Sequence, residues 1–325
     1  MTDSWEKIGQ ALVALLVFGA VIAALLGIAR TVDRWPRRLR EHLVVVVFAG
    51  PLLLLAGIGL VYPGVRTAVL SFFDPDGTTF VGLENYSWVF TDSAALTSLG
   101  NTVAWVLVVP AASVTVGLGY AVLVDRSRAE GLLKALLFMP QAISFVGASV
   151  IWKFVFTYRQ EGLSQIGLLN QVLVWLGIPP QQFLVNSPWN TGFLMIVVIW
   201  TQAGFAMVVL SAAIKAVPGE VLEAARIDGA GSWQLLTRIT VPMIRPTVVV
   251  VLTTISVAML KLFDVVRTMT GGQYDTSVIA NMMYDQSFRY SQPGRGAALA
   301  VVLLALVLPV VALNAAQLRK NREIR

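Results

Sequence analysis

The apolar residues of this sequence come in long unbroken runs, such as LVVVVFAGPLLLLAGIGLV from Leu43 to Val61, rather than in the apolar-polar alternation of half-buried strands. A bilayer offers backbone N–H and C=O groups no water to bond, so runs of this length pair their own backbone as helices. With a window of about 19 residues, the pattern predicts seven spans: Gln10–Ile28, Leu43–Val61, Thr102–Val124, Leu136–Phe156, Thr191–Ser211, Thr247–Val265 and Ala297–Val311. Two connecting stretches are long enough to carry structure, Ser71–Gly100 and Thr157–Asn190. In the second, Ile166, Leu169, Val172 and Leu173 recur at helical spacing over too short a length to span, which predicts a helix lying in the headgroup plane. The fold class is all-α, a polytopic membrane protein.

Composition agrees and adds topology. Of 325 residues, 57% are hydrophobic and only 13% charged, and the mean hydropathy is +0.75, outside the range of ordinary soluble domains. A net charge of +6 would suggest nucleic acid in a soluble protein, but here the basic residues cluster beside alternate spans. The clusters are Arg30, Arg34, Arg37, Arg38 and Arg40; Arg126, Arg128 and Lys134; Lys215, Arg226, Arg238 and Arg245; and Arg319, Lys320, Arg322 and Arg325. The positive-inside rule puts all four in the cytoplasm, with the N-terminus outside and the C-terminus inside a cytoplasmic (inner) membrane. The basic balance therefore reports orientation and lipid contact, not nucleic-acid binding. The first span has no basic segment before it and one after it, so it reads as an added helix rather than a cleaved signal. The organisation predicted is an extra helix and basic linker over 1–42, a six-helix core over 43–318, and a basic tail over 319–325.

Catalytic and metal chemistry find no support. Cysteine is absent, and the single histidine, His42, reads as an interfacial residue beside a basic segment. No G-x-x-x-x-G-K-[ST] cradle occurs, and one histidine leaves no partner for a zinc site or a Ser-His-Asp triad.

The long cytoplasmic stretch KAVPGEVLEAARIDGAGSWQLLTRITVPMIRP, from Lys215 to Pro246, breaks the apolar pattern. Pro218 suits a first helical turn and Glu220 the positive end of the dipole. Gly229, after Asp228, suits a left-handed helix stop; Ser232 is placed to cap a second helix that Pro242 closes. Ala224 and Ala225 let another backbone approach closely, and Glu223 offers a carboxylate to an arginine. An amphipathic surface helix covering the span ends is an equally good reading of these residues alone.

Glu223-Ala224-Ala225, three residues, Gly229, nine residues, Ile239, one residue, then Val241-Pro242 resembles the EAA loop, E-A-A-x3-G-x9-I-x-L-P, of the membrane subunits of binding-protein-dependent ABC importers, with Val241 in place of Leu. Stretches such as IWTQAGFAMVVLSAAIKAVPGEVLEAARIDGA and KLFDVVRTMTGGQYDTSVI are similar to the carbohydrate-importer branch. That branch commonly has Gly-Gly-Pro where this chain has Gly271-Gly272-Gln273, which predicts a less rigid outer turn. The resemblance implies an ABC-importer permease core in which Glu223, Ala224, Ala225, Asp228, Gly229, Ile239 and Pro242 form the contact with a separate ATPase. It further implies a second permease as heterodimer partner, a dimer of ATPase subunits holding the ATP and Mg, no cofactor in this chain, an extracytoplasmic solute-binding protein, and transport by alternating access.

Polar or charged side chains inside spans mark a solute path, because hydrocarbon makes them costly. Gln141, Lys153, Gln202, Lys261 and Asp264 qualify, with Asn101 near an edge. Lys261 and Asp264, three apart, are expected on one helix face as a self-satisfying pair or a transport site. Sugar sites pair aromatic rings with polar groups, so Trp152, Phe156, Trp200, Gln202 and Phe205 are the pathway candidates, with packing or interfacial belts as the alternative role. The expected cargo is an oligosaccharide such as maltose or trehalose. Importers of glycerol phosphate or polyamine, an ion-coupled secondary transporter using Asp264, and a scaffold without transport are the rival readings.

Overall fold

A computed structural model describes residues 49–125 and 127–323, with isolated positions among residues 13–46. The described positions of the first predicted span are helical. The rest of Gln10–Ile28, the basic segment Arg30–Arg40, His42, Arg126 and Arg325 lie outside the described residues, as do the side chains of Arg319, Lys320 and Arg322. The chain divides into two compact units, Met1–Thr67 and Ala68–Arg325.

Helix α1 (Ala49–Leu70) starts in the first unit and ends in the second. It runs well past the predicted end at Val61, and the physical reason lies just before Pro63. A π turn over Gly57–Val61 passes the Tyr62 N–H to the Gly57 carbonyl, so the widened turn takes in the proline ring that would clash with a regular one.

The second unit is helical throughout, and no strand occurs among its described residues, only an isolated bridge between Phe73 and Phe80. Beyond α1, Asp74 accepts from the Thr78 N–H at 2.6 Å, which holds its carboxyl below the ordinary carboxylate range. Helix α2 (Glu84–Thr91) follows, and α3 (Ser93–Val124) starts well before the predicted Thr102 because Asp92 caps it, accepting from the Ala95 N–H at 2.9 Å. Pro110 lies inside α3, as bilayer helices tolerate.

The predicted span Leu136–Phe156 is not one helix. Helix α4 (Glu130–Phe138) passes through a 3-10 turn at Met139–Ala142 and turns by 99° into α5 (Phe145–Val155). Pro140 breaks the first helix, and Ser144 starts the second by accepting from the Gly147 N–H at 3.1 Å.

Helix α6 (Leu168–Trp175) is the short helix foreseen between Thr157 and Asn190. Leu169 and Leu173 face the core, while Leu168, Val174 and Trp175 are exposed. Buried Asn170 fixes it, donating to the carbonyls of Thr157 and Gln181 at 2.9 and 3.1 Å and accepting from the Gln181 N–H at 2.7 Å.

Helix α7 (Trp189–Lys215) is the central element, packed against α3 over a core that includes Trp105, Val109, Leu194, Met207 and Leu210. Next come α8 (Gly219–Ile227), α9 (Ser232–Met243) and α10 (Arg245–Leu260), with a 69° bend between the last two. Helix α11 (Asp264–Met269), α12 (Ile279–Tyr284) and α13 (Pro293–Glu323) complete the unit.

The predicted span Thr247–Val265 therefore stops early, at Leu260, and Lys261 and Asp264 sit on either side of a helix break rather than on one helix face. The turn after α11 carries Gly271, Gly272, Tyr274 and Asp275 at positive φ. Without a proline it is still pinned from two helices: Asn101 donates to the carbonyls of Asp275 and Ser277 at 2.6 and 2.9 Å, and Asn190 to that of Tyr274 at 2.7 Å. The looser turn expected from Gln273 is replaced by one held by amide side chains.

Candidate functional site

Helix α7 leads through Ala216–Pro218 directly into α8, so a force on α8 reaches the core helix along the main chain. Pro218 is extended (ψ 130°) and caps α8 instead of lying in its first turn. The far end closes as a Schellman motif: the Ala230 N–H reaches the Ala225 carbonyl and the Gly229 N–H the Arg226 carbonyl, both at 3.0 Å, with Gly229 at φ +84°. Only glycine takes that φ without strain.

Ser232 is the first helical residue of α9, not its cap. Gly231 is the cap, and the Gln234 side chain returns to accept its N–H at 3.0 Å. The helix closes one residue past Pro242, at Met243. A π turn over Leu235–Thr240 sends the Val241 N–H to the Leu236 carbonyl, the same device that precedes Pro63.

The residues of the loop divide by exposure. Glu223, Ala224, Asp228, Gly229 and Pro242 are exposed, and Ala225 and Ile239 are half-buried. Beside them Ile227 is 81% exposed and Trp233 73%. Between this loop and the C-terminal ends of α3 and α7 lies a cavity of about 530 Å³, lined by Val122, Asp125, Ile214, Leu222, Trp233 and Leu236 among others.

Above the loop sits an ionic cluster that the sequence could show only as separate charges. Lys134 Nζ is 2.7 Å from Asp125 Oδ1 and 2.7 Å from Glu130 Oε1 and also meets Ser211 Oγ; Ser211 donates to Asp125 at 2.7 Å; Lys215 pairs with Glu130. It ties the end of α3, the start of α4 and the end of α7 together where α7 becomes the loop. Replacing Lys134 with methionine leaves Asp125 without its cation. The expected cost is about 2 kcal/mol, read as a fall of about 3 °C in the melting temperature of the purified protein, with Lys134→Arg retaining most of the stability.

The pathway candidates fall into two groups. Trp152, Phe156 and Trp200 come together, with ring centroids 5.2 Å apart for Trp152–Phe156 and 5.8 Å for Trp152–Trp200. Phe183 and Phe193, which the sequence reading did not include, extend the cluster at 5.7 and 5.6 Å from Phe156. Phe183 lies in the connection before α7, where spacing rules carry no signal. A cavity of about 360 Å³ opens beside Phe156, Phe183 and Lys153, and Lys153 donates to the Thr268 carbonyl at 3.4 Å. Gln202 is buried and Phe205 half-buried on α7. Gln141 is half-buried, and its buried side-chain oxygen has no hydrogen-bond partner among the described residues.

Lys261 and Asp264 form the second group. Both are exposed at the break between α10 and α11, and a separate cavity of about 340 Å³ lies beside Lys261. Sequence reading also missed Arg267 and Asp285, which pair at 2.8 Å between α11 and the turn after α12. Among the described residues, no group of three His, Cys, Asp or Glu side chains is placed to hold a metal.

Residues 16–323 match the family described as binding-protein-dependent transport system inner membrane component. The chain is 47% identical over 279 residues to the osmoprotective compounds uptake permease protein of Synechocystis sp., covering 86% of this chain and 100% of that one. It is 47% identical over 298 residues to the alpha-glucoside transport system permease protein of Rhizobium meliloti, covering 91% and 85%. A chain of a bacterial alginate ABC transporter, solved with an alginate pentasaccharide-bound periplasmic protein, shares the fold at a TM-score of 0.73 and 21% identity, over 87% of this chain and 96% of that one. The chain belongs to the binding-protein-dependent transport system inner membrane component family, the membrane permeases of ABC importers.

Proposed function

We infer that this chain is the permease subunit of an ATP-driven importer that passes a neutral sugar, an oligosaccharide such as maltose or trehalose, inward by alternating access. The observation that carries this reading is α8: a short helix joined to the central α7 by only Ala216–Pro218, exposing Glu223, Ala224 and Ile227, which no side chain among the described residues covers. Small residues permit close approach and the exposed Ile227 supplies apolar area, so the helix suits the groove of a separate motor subunit. That motor is a dimer of ATPase subunits, which hold the ATP and Mg. A second permease completes the pathway, and an external binding protein delivers the cargo. In this arrangement α8 and the C-terminus lie in the cytoplasm and the N-terminus outside.

The charge pattern favours a neutral cargo over glycerol phosphate or a polyamine. Lys261 and Asp264 carry opposite charges, and Arg267 is matched by Asp285. The 47% identity to an alpha-glucoside permease supports a sugar. The test is uptake of radiolabelled maltose and trehalose into proteoliposomes holding the complete complex and its binding protein. Uptake that requires internal ATP is expected; uptake by this chain without any ATPase overturns the reading.

A further inference from the structure

We propose that the ion pair between Glu130 and Lys215 is a coupling clamp, which makes the broken element α4–α5 follow α8 so that a force on the loop reaches the Trp152–Trp200 cluster by a second route beside α7. Glu130 and Lys215 are then positioning residues of the transport cycle. This deepens the proposed function and rests on it.

Despite its 99° bend, α4–α5 meets α7 at successive points in reverse chain order. Just past α5, Phe156 packs on Phe193 at 5.6 Å between ring centroids, and on α5 Trp152 packs on Trp200 at 5.8 Å. The Leu137 and Phe138 backbone then lies against Gly204, with no room there for a Cβ. Nearer the end of α7, Lys134 meets Ser211, and at the end itself Glu130 meets Lys215. One element therefore carries both the rings and the charges.

These contacts differ in where they grip α7. The rings, Gly204 and Ser211 lie along its body, whereas Lys215 is its last residue, separated from α8 only by Ala216–Pro218. Glu130 is the first residue of α4, and its Oε1 takes both Lys215 and Lys134, which also lies 2.7 Å from Asp125 Oδ1 at the end of α3. The charges thus run unbroken from the α7–α8 joint to α4 and α3. Packing offers α8 little else. Leu222 is its one side chain packed on the core among the described residues, and the cavity of about 530 Å³ opens beside it. Lys215 is 52% exposed, so water screens the pair and it adds little to overall stability. A small energy that differs between two arrangements is nevertheless enough to bias which one α4 takes.

Two measurements test the clamp. The chain has no cysteine, so spin labels can be set at Leu132→Cys on α4 and Glu220→Cys on α8, both exposed. In the purified protein the distance between them is expected to form one narrow distribution, which Lys215→Met broadens and Lys215→Arg leaves narrow. In proteoliposomes holding the complete complex, the maltose or trehalose moved per ATP hydrolysed is expected to fall about threefold in Lys215→Met and in Glu130→Gln, with most of it kept in Lys215→Arg. The melting temperature of both Lys215 variants should stay within about 1 °C of wild type. An unchanged ratio in Lys215→Met overturns the clamp, and so does a fall that Lys215→Arg shares or one that comes with a melting loss as large as that of Lys134→Met. If the wild-type complex moves neither sugar, the proposed function itself fails. The label distances still decide the clamp in that case, because a distribution as narrow in Lys215→Met as in wild type overturns it.

Discussion

Glu223→Lys is expected to strip the ATPase subunits from the purified assembly while this chain stays folded in the membrane. Glu223 is exposed on α8 and makes no ion pair among the described residues, so its replacement removes nothing that holds the chain together. Lysine is also as good a helix former as glutamate. The loss falls on the docked state. In the proposed contact, a carboxylate facing a basic side chain of the ATPase becomes two like charges where water is excluded, a change of about 3 kcal/mol, or about a hundredfold in affinity. Copurification of the ATPase and ATP-driven uptake should fall together, while the melting temperature of the isolated chain stays within about a degree of wild type. Glu220→Lys, at the first turn of the same helix, is the matched control, expected to cost about 0.3–1 kcal/mol through the helix dipole. Retention of a full complement of ATPase by Glu223→Lys would remove Glu223 from the contact.

How much of this was legible in the sequence depends on whether the deciding interaction was local. In the loop from Glu223 to Pro242 the glycine stop was readable, because the Schellman bonds at Gly229 and Ala230 require it, while the two helix starts, at Pro218 and Gly231, each fell one residue from the place expected. The helical class was readable from the apolar runs, and three helices among the described residues, Ala49–Leu70, Ser93–Val124 and Trp189–Lys215, are long and apolar enough to cross a membrane. Their ends were less so, because proline has two outcomes that look alike in sequence. At Pro140 the helix breaks; at Pro63 a π turn upstream absorbs the ring and the helix continues to Leu70, whereas after Pro242 it stops within one residue, at Met243. Which outcome wins depends on what the widened turn packs against, and that is tertiary information. The same limit hid the ionic cluster, where Lys134 on α4 meets Ser211 on α7 and Asp125 at the end of α3. It also hid the Arg267–Asp285 pair, whose members lie on either side of a turn with four residues at positive φ. Lys261 and Asp264 stood out as charges in an apolar run, but their helical spacing suggested a shared face that the break removes.

Gly117→Leu is expected to prevent the core from assembling. In lipid the helices gain nothing from hiding apolar surface, so their association depends on close packing, and small residues set how close the backbones come. At the crossing of α3 and α7, a Cβ on Gly117 would lie 2.6 Å from the Ala206 Cβ, 2.8 Å from the Met207 nitrogen and 2.9 Å from the Ala203 oxygen. Two of those three are backbone atoms in the middle of a helix, and Ala206 is fully buried, so relief requires moving α7 bodily. Gly204 plays the same part toward α4, where a Cβ would strike the Leu137 carbonyl and come within 2.9 Å of the Phe138 Cα. Since α7 is the element that carries the loop, spreading either crossing also misplaces α8. Overpacking of this kind costs about 3 kcal/mol or more, a drop of roughly 4 °C or more in melting temperature, with loss of most of the monodisperse protein on extraction. Gly119 provides the contrast, because it lies two residues along α3 on an exposed face with no atom within 4 Å of a built Cβ. Gly119→Leu should therefore match or exceed wild-type stability, since leucine is the better helix former. If Gly117→Leu melts with Gly119→Leu, the α3–α7 crossing is not where backbone proximity holds this core together.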